Sequence, residues 1–400
     1  ISISRKLLRK FIGLESSSIN ALKTWNQSFK EKQKEIYSSK LYNEFSSSHK
    51  NVIEIKPKYD DTSKNIDGRI ILRNNFKKLF ESFDNLLIFG EDTGKIGDVN
   101  QGLEGLQNIF GSERVGDRGI REASIVGEGI GLALRGFRPI AEIQYLDYIF
   151  YALQILSDDL ATLHYRTFGR QIAPLIIRTR GHRLEGMWHA GSPMGMILNS
   201  LKGMLILTPR NMVQAAGMYN TLLSCSDPAL IIEPLNAYRL KEKEPTNLGE
   251  FNVALGHVEF MSKGKDITVV SYGSTLKLVE KAMIELLNHE IEIELIDLQT
   301  LIPLDINRDI VKSLEKTNKI IVIDEDFPGG ASSHILKVVL EDHDGFKFLD
   351  SKPITLTSKE HRPPYGSDGD YFSKPSVDDI FESCYKIMHE YNPKKYPLTF

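Results

Sequence analysis

The sequence has few of the features that mark specialised classes of protein. Only two of its 400 residues are cysteines, Cys225 and Cys384, and they form no CxxC pair. This count argues against a disulfide framework or a zinc–thiolate site and predicts a reducing compartment, which we take to be the cytoplasm of a bacterium. No apolar run is long enough to cross a bilayer, so we expect no membrane span. The formal net charge of −3 does not indicate a nucleic-acid partner.

Motifs for phosphate or metal binding are also scarce. There is no GxxxxGK[ST] motif, and in GEGIG (127–131) the third glycine falls one residue too early for GxGxxG. We interpret these glycines as sites of close helix packing. His182, Glu185 and His189 in HRLEGMWH could be a metal trio, but the glycines and proline around them disfavour a regular helix. Their spacing therefore has no geometric meaning, and we predict no metal site.

The chain divides into an irregular arm and two regular parts. Residues 1–66 mix helical patches with Ser, Lys and Asn, which is typical of a partly helical arm or linker. In residues 67–245, and again in 246–400, short apolar runs alternate with segments of helical spacing. This alternation predicts an α/β fold with two three-layer domains, each built on a parallel sheet. We also predict one long helix in FYALQILSDDLATLHYRTF and one strand in EIELIDLQTLIP.

Polar side chains that could take part in catalysis or ligand binding follow several of the predicted strands. Glu122 precedes an apolar run, and Glu91, Gln144, Tyr148 and His189 come at or just after the ends of other strands. Taken singly, each acid is more often a loop or helix-cap residue than a catalyst. Ligands of parallel α/β sheets bind at the carboxyl ends of the strands. We therefore expect these five side chains to converge on one edge of one sheet.

An ordered set of motifs carries a resemblance to a known family. GEDTGKIGDVNQGLEGLQNIFGSERVGDRGIRE, GFRPIAEIQYLDYIFYALQIL, IDLQTLIPLD and DEDFPGGASSHI resemble stretches of the β subunit of the E1 component of 2-oxo acid dehydrogenase complexes. The resemblance covers about residues 67–390. It implies a pyrimidine-binding domain followed by a transketolase-like C-terminal domain. KIGDVNQGLEGLQ and IRTRGHRLEGMWHAGSPMG look closest to members whose α and β parts are fused, with an E1α-like part upstream.

The resemblance also implies roles for the five side chains. Glu122 would meet N1′ of the aminopyrimidine of thiamine diphosphate, which requires a carboxyl group that holds or shares a proton. Gln144 and Tyr148 would bind the cofactor, with Tyr148 packed against its pyrimidine ring. His189 would act near the substrate and the lipoyl arm as a proton donor or orienting group. Glu91 would support the site.

Some positions depart from the family pattern. DTPI.E has become DRGIRE, so that Arg118 and Gly119 replace Thr and Pro, and HSQ has become HAG. The two arginines beside Glu122 would favour its ionised form if they pointed towards it. The GDG…N motif for the magnesium diphosphate is missing, since the chain has only GDV at 97–99 and GSDGD at 366–370. We therefore expect Mg²⁺ and the diphosphate on the E1α-like part.

The function that the resemblance implies is oxidative decarboxylation of a 2-oxo acid with reductive acylation of a lipoyl group on an E2 acyltransferase. The resemblance favours branched-chain substrates such as 2-oxoisovalerate over pyruvate, and it implies a homodimer and possible K⁺ binding. Two alternatives stay open. One is a transketolase-like or deoxyxylulose-phosphate-synthase-like enzyme. The other is a non-catalytic assembly or regulatory subunit, which the DRGIRE departure supports and the presence of Glu122, Tyr148 and His189 opposes.

Overall fold

The computed structural model describes residues 1–181, 189–364 and 368–398. Its α-helices are α1 Ser2–Lys10, α2 Ser17–Tyr37, α3 Gly68–Ser82, α4 Leu106–Phe110, α5 Glu122–Leu134, α6 Leu163–Arg166, α7 Met194–Ser200, α8 Met212–Ser224, α9 Leu276–Asn288, α10 Asp309–Thr317, α11 Ala331–Leu336, α12 Gly369–Ser373 and α13 Val377–Tyr391. Across these ranges, no helix is both long enough and apolar enough to cross a membrane.

The strands form two large sheets and one short ribbon. They are β1 Asn65–Asp67, β2 Leu86–Gly90, β3 Val115–Asp117, β4 Arg138–Tyr145, β5 Ile176–Arg180, β6 Leu205–Leu207, β7 Ala229–Glu233, β8 Lys241–Lys243, β9 Glu259–Phe260, β10 Ile267–Ser271, β11 Ile293–Asp297, β12 Thr300–Ile302, β13 Ile320–Ile323 and β14 Ile354–Leu356. The predicted architecture of two α/β domains after a partly helical arm is confirmed.

The first sheet has seven strands in the order β12-β6-β7-β5-β4-β2-β3, and all but β12 run parallel. Its strands are apolar because helices cover both faces. Ile176 packs with α3 and α8, whereas its neighbour Ile177 packs with α5 on the opposite face. This alternation of side chains follows from the two-residue repeat of a strand.

The second sheet has five strands in the order β14-β13-β10-β11-β9, with only β9 antiparallel. One face is covered by α9 and α13. The other face, with Val270 and Ile296, belongs to the same apolar cluster as α5 and α7 of the first domain. The two domains therefore share a continuous core.

Two predictions about single elements are wrong. EIELIDLQTLIP is not one strand, because Gln299 adopts a left-handed backbone (φ 59°) and turns the chain between β11 and β12. As a result β12 leaves the second sheet and pairs with β6 of the first. The expected long helix after β4 is broken into a 3₁₀ segment, a π-helical segment and the short α6.

The N-terminal arm lies on the first domain. The backbone N–H of His49 donates to Asp227 at 2.8 Å, and its ring Nδ1 lies 3.1 Å from the same carboxylate. Farther along, Ile55 N–H donates to the Asn252 side chain at 2.8 Å. These contacts between sequence-distant residues hold residues 49–55 against segments that pack on the first sheet.

Candidate active site

The topology of the first sheet creates a crevice at the carboxyl ends of its strands. From β2 the chain passes to β3 on one side and then returns to β4 on the other side. Gly90, the last residue of β2, pairs with Asp117 of β3 and with Glu142 of β4. Connections that leave a strand in opposite directions open a crevice where ligands of α/β proteins bind.

Four of the five predicted site residues line one cavity at this crevice, which has a volume of about 410 Å³. They are Glu91, Glu122, Gln144 and Tyr148. Ile120, Arg121 and Tyr151 complete the lining and were not predicted. The convergence follows from the parallel arrangement, since each residue lies at or beyond the carboxyl end of β2, β3 or β4.

Helix packing fixes the position of Glu122. This residue is the first of α5 and is only 8% exposed, while Ile125 and Val126 on the next turn are buried in the core. Gly129 permits the close approach of Leu175, because a Cβ there would lie 2.7 Å from Leu175 Cδ1. The glycines of GEGIG therefore include one with the predicted packing role, and α5 holds the Glu122 carboxyl group at the cavity.

Glu91 and its neighbours shape the electrostatics of the cavity. Burial raises the pKa of Glu91, and the negative charges of Asp92 and Glu122 raise it further. Gln144 Nε2 donates to Asp92 Oδ2 at 3.1 Å. Because neighbouring carboxylates oppose each other's ionisation, this wall of the cavity favours retention of a proton on Glu91.

His189 does not line the cavity but contacts its wall. Its ring stacks on Tyr145 with centroids 4.5 Å apart and meets the ring of Tyr148 edge-on at 5.2 Å. The backbone of His189 is left-handed (φ 61°), and its buried Nδ1 has no hydrogen-bond partner within the described residues. His182 and Glu185 lie outside the described residues. In the part of the chain that the structure covers, no cluster of three or more His, Cys, Asp or Glu side chains could hold a metal ion.

The two arginines near Glu122 have different surroundings. Arg118 binds Glu128 through two nitrogens, with Nε–Oε2 at 2.8 Å and Nη2–Oε1 at 2.6 Å, and its guanidinium lies over the ring of Phe89. It is therefore engaged away from Glu122. Arg121, by contrast, lines the cavity. Only one of the two arginines is placed to oppose protonation of the cavity's carboxyl groups.

The structure explains why the third residue of HAG, Gly191, is a glycine. A Cβ at this position would lie 2.7 Å from Asp147 Cβ and 3.4 Å from Arg362 Nη2. Asp147 and Arg362, whose closest charged atoms are 3.9 Å apart, thus occupy the space next to Gly191. A glutamine side chain, which the family has here, would not fit. A side chain at position 191 would therefore press on groups from both domains and displace the neighbouring segment that carries His189.

We expect Gly191→Ala to displace His189 and to lower turnover by about tenfold or more, because a shift of a reacting group by about 1 Å can cost up to 100-fold. Steady-state kinetics would measure this difference. Gly131→Ala is the matched control, since a Cβ there meets no atom within 4 Å. That change should leave turnover unaltered and stabilise α5 by up to about 1 kcal/mol. Equal kinetics for both variants would contradict the prediction.

A buried cluster of charges lies behind the cavity, and the sequence did not indicate it. Arg178 and Arg180 of β5 are fully buried and contact the carboxylates of Asp98 and Glu142, while Arg178 also contacts Glu233. Arg178 Nε lies 2.9 Å from Glu233 Oε1, and Arg180 Nη2 lies 2.8 Å from Glu142 Oε2. Burial raises the pKa of Glu142 despite both arginines. A sequence signal for this buried cluster is the presence of two arginines, at i and i+2, within an otherwise apolar strand.

The fold and the cavity define a transketolase-like class of protein. Residues 64–241 match the family described as "Transketolase, pyrimidine binding domain", and residues 256–377 match "Transketolase, C-terminal domain". A solved structure titled "Split gene transketolase, inactive beta4 tetramer" has the same fold, with a TM-score of 0.64 and 17% identity. The match covers 81% of this chain and 98% of that chain.

Relatives with higher sequence identity identify a family within this class. The "Pyruvate dehydrogenase E1 component subunit beta" of Acholeplasma laidlawii is 30% identical over 303 residues, which cover 75% of this chain and 91% of the relative. The protein of the same name from Bacillus subtilis strain 168 is 34% identical over 245 residues, 60% of this chain and 74% of that protein. The chain therefore belongs to the family of E1 β subunits of 2-oxo acid dehydrogenases. The resemblance of the sequence motifs to this family is confirmed.

Proposed function

We propose that this chain is the β part of a thiamine-diphosphate-dependent 2-oxo acid dehydrogenase that acylates a lipoyl group. The observation that carries the proposal is the single cavity lined by Glu91, Glu122, Gln144 and Tyr148 at the switch point of the first sheet. For the substrate, the names of the relatives support pyruvate, whereas the sequence resemblance favoured 2-oxoisovalerate. A test of the function must therefore include both acids.

The cavity suits one half of thiamine diphosphate. Two carboxyl groups, a carboxamide and a phenol ring match the ring nitrogens, amino group and flat face of an aminopyrimidine. The diphosphate is not matched, because Arg121 is the only cation in the lining and the described residues hold no metal-binding cluster. When bound, the cofactor supplies the nucleophilic carbon and the electron sink for decarboxylation.

The chain's own residues would position the cofactor and transfer protons to and from it. Glu122 would share a proton with pyrimidine N1′, and Glu91, whose pKa is raised by burial and by the charges of Asp92 and Glu122, would lie beside it as a supporting acid. Tyr148 would contact the face of the ring, and Gln144 would orient its polar edge. His189, stacked on Tyr145 and edge-on to Tyr148, would reach the reacting end of the site as a proton donor or orienting group.

A site with only the pyrimidine half requires partners. We propose that an E1α-like part, fused upstream or separate, supplies the diphosphate site and Mg²⁺, and that two such units form a homodimer. The acyl acceptor would be a lipoyl-bearing E2 acyltransferase. Binding of K⁺ and a bacterial cytoplasmic location remain parts of the proposal that rest on the sequence resemblance and on the low cysteine count.

The test is decarboxylation by this chain assembled with its E1α-like part, with an artificial electron acceptor in place of E2. We expect turnover that requires both thiamine diphosphate and Mg²⁺. The ratio of kcat/KM for pyruvate and 2-oxoisovalerate identifies the substrate. Reduction of the lipoyl group on an isolated lipoyl domain then tests the acceptor.

Two outcomes would overturn the proposal. Transfer of a two-carbon unit between sugar phosphates, without decarboxylation of either acid, would support the transketolase-like alternative. A folded assembly that binds thiamine diphosphate but turns over neither acid would support the non-catalytic subunit.

A further inference from the structure

A second cleft lies between the two domains, apart from the candidate active site. It has a volume of about 460 Å³ and shares no lining residue with the first cavity. One wall comes from α7 and Lys202 of the first domain, and the other from the segment 329–342 of the second domain. The walls meet closely, since a Cβ on Gly195 would lie 3.3 Å from Gly330 Cα. A ligand in this cleft would contact both domains.

The cleft gathers more cationic groups than anionic ones. Two lysines, Lys202 and Lys337, line it together with His334, and Asp342 is the only acid in the lining. Lys337 Nζ holds both oxygens of Asp342, at 2.5 and 2.7 Å. Lys202 has no ion-pair partner within the described ranges. Once this internal pair is formed, the charge of Lys202 has no counter-ion in the lining, and His334 lies beside it in the cleft.

Burial, and after it mutual repulsion, disfavours the charged forms of Lys202 and His334. Burial and then the charge of Lys337 lower the pKa of Lys202. Burial also lowers the pKa of His334, and the charges of Lys202 and Lys337 lower it further. An anion between the three groups would relieve this repulsion, so the cleft is electrostatically suited to a negative ligand.

Polar groups of the lining add directional donors. The ring Nε2 of His334 donates to the carbonyl oxygen of Leu301 at 3.0 Å, so Nδ1 becomes a donor only when the ring is protonated, which the charge of a bound anion favours. The hydroxyl of Ser333 and the amide of Asn199 also line the cleft. Leu198 and Val338 provide a small apolar surface. A compact dianion with several acceptor oxygens matches these donors, and the volume leaves room for a small organic group attached to it.

We propose that this cleft binds a phosphate dianion, either free or as a small phosphate monoester, through Lys202, His334 and Ser333. The ligand would bridge α7, which follows the segment carrying His189, and α11 of the second domain. The proposal does not depend on the proposed function, because binding needs neither thiamine diphosphate nor a 2-oxo acid.

The test is isothermal titration of the full chain with inorganic phosphate and, separately, with glycerol 3-phosphate, against a potassium chloride titration of equal ionic strength. We expect saturable binding that Lys202→Gln weakens at least about tenfold, since a hydrogen bond to a charged group contributes about 1.5–3 kcal/mol. Ser333→Ala, a second variant with no change of charge, should weaken binding by a smaller factor. Preference for glycerol 3-phosphate would identify a monoester, and equal binding would identify phosphate itself.

The matched control is Lys312→Gln, which removes an exposed lysine of the second domain that pairs with Asp309 outside the cleft. It should leave the affinity unchanged. The proposal is overturned if chloride reproduces the phosphate signal, if neither ligand binds, or if Lys202→Gln and Lys312→Gln weaken binding equally.

Discussion

Replacement of Glu122 by glutamine is expected to lower turnover of the assembled dehydrogenase by about 100-fold or more. The change keeps the size of a side chain that is 8% exposed at the start of α5, so the cavity should keep its shape. The amide cannot hold or share a proton at pyrimidine N1′ as a carboxyl group can. General acid–base groups typically contribute about 10²–10⁴-fold to rate. Single-turnover decarboxylation would measure the loss in the chemical step.

The same helix offers a control for Glu122→Gln. Glu128 lies six residues later in α5, pairs with Arg118 and does not line the cavity. Glu128→Gln should leave turnover within about twofold and cost about 0.2–1 kcal/mol of stability, as partly exposed ion pairs do. Binding of thiamine diphosphate should persist in both variants. If Glu122→Gln retained more than a tenth of wild-type turnover with the cofactor bound, its proposed role would be wrong.

Much of this site could be predicted because it depends on local pattern and sheet topology. Glu91 and Gln144 lie at the ends of apolar strands, and parallel strands place such ends along one edge. Glu122 was recognisable as an acid before an apolar helix. The family motifs then gave these positions a chemical meaning that spacing alone did not provide. Their roles, and the domain boundaries at 66/67 and 245/246, remain predictions.

Other features could not be predicted because they depend on contacts between distant parts of the chain. The exchange of β12 into the first sheet follows from a left-handed Gln299, a conformation that composition does not reveal. Gly191 is explained only by Asp147 and Arg362, which come from two other segments of the chain. Arg178 and Arg180 lie in a short and otherwise apolar segment of the sequence, whereas their acidic partners arrive from three other segments.

Arg178→Met is expected to destabilise the first domain by about 3–5 kcal/mol. Arg178 is fully buried, and its guanidinium contacts Asp98 at 2.9 Å, Glu233 at 2.9 Å and the Tyr238 hydroxyl at 2.8 Å, as well as Glu142. Methionine has a similar length, so the loss comes from charge and not from a cavity. Removal of one partner from a buried ionic cluster leaves uncompensated carboxylates in a low-dielectric environment. The midpoint of urea unfolding would measure the change.

Two further variants separate the buried charge from a general effect of losing arginine. Arg118→Met removes an arginine–glutamate pair that is about one-third exposed, and should cost no more than about 1 kcal/mol. Arg178→Met combined with Glu233→Gln should recover part of the lost stability, because the carboxylate that has lost its arginine is then neutral. If the double variant lost as much stability as the two single variants together, the charges of the cluster would not be energetically coupled. Recovery would instead indicate that the carboxyl edge of the sheet, and with it the cavity, is held in place by charge balance beneath it.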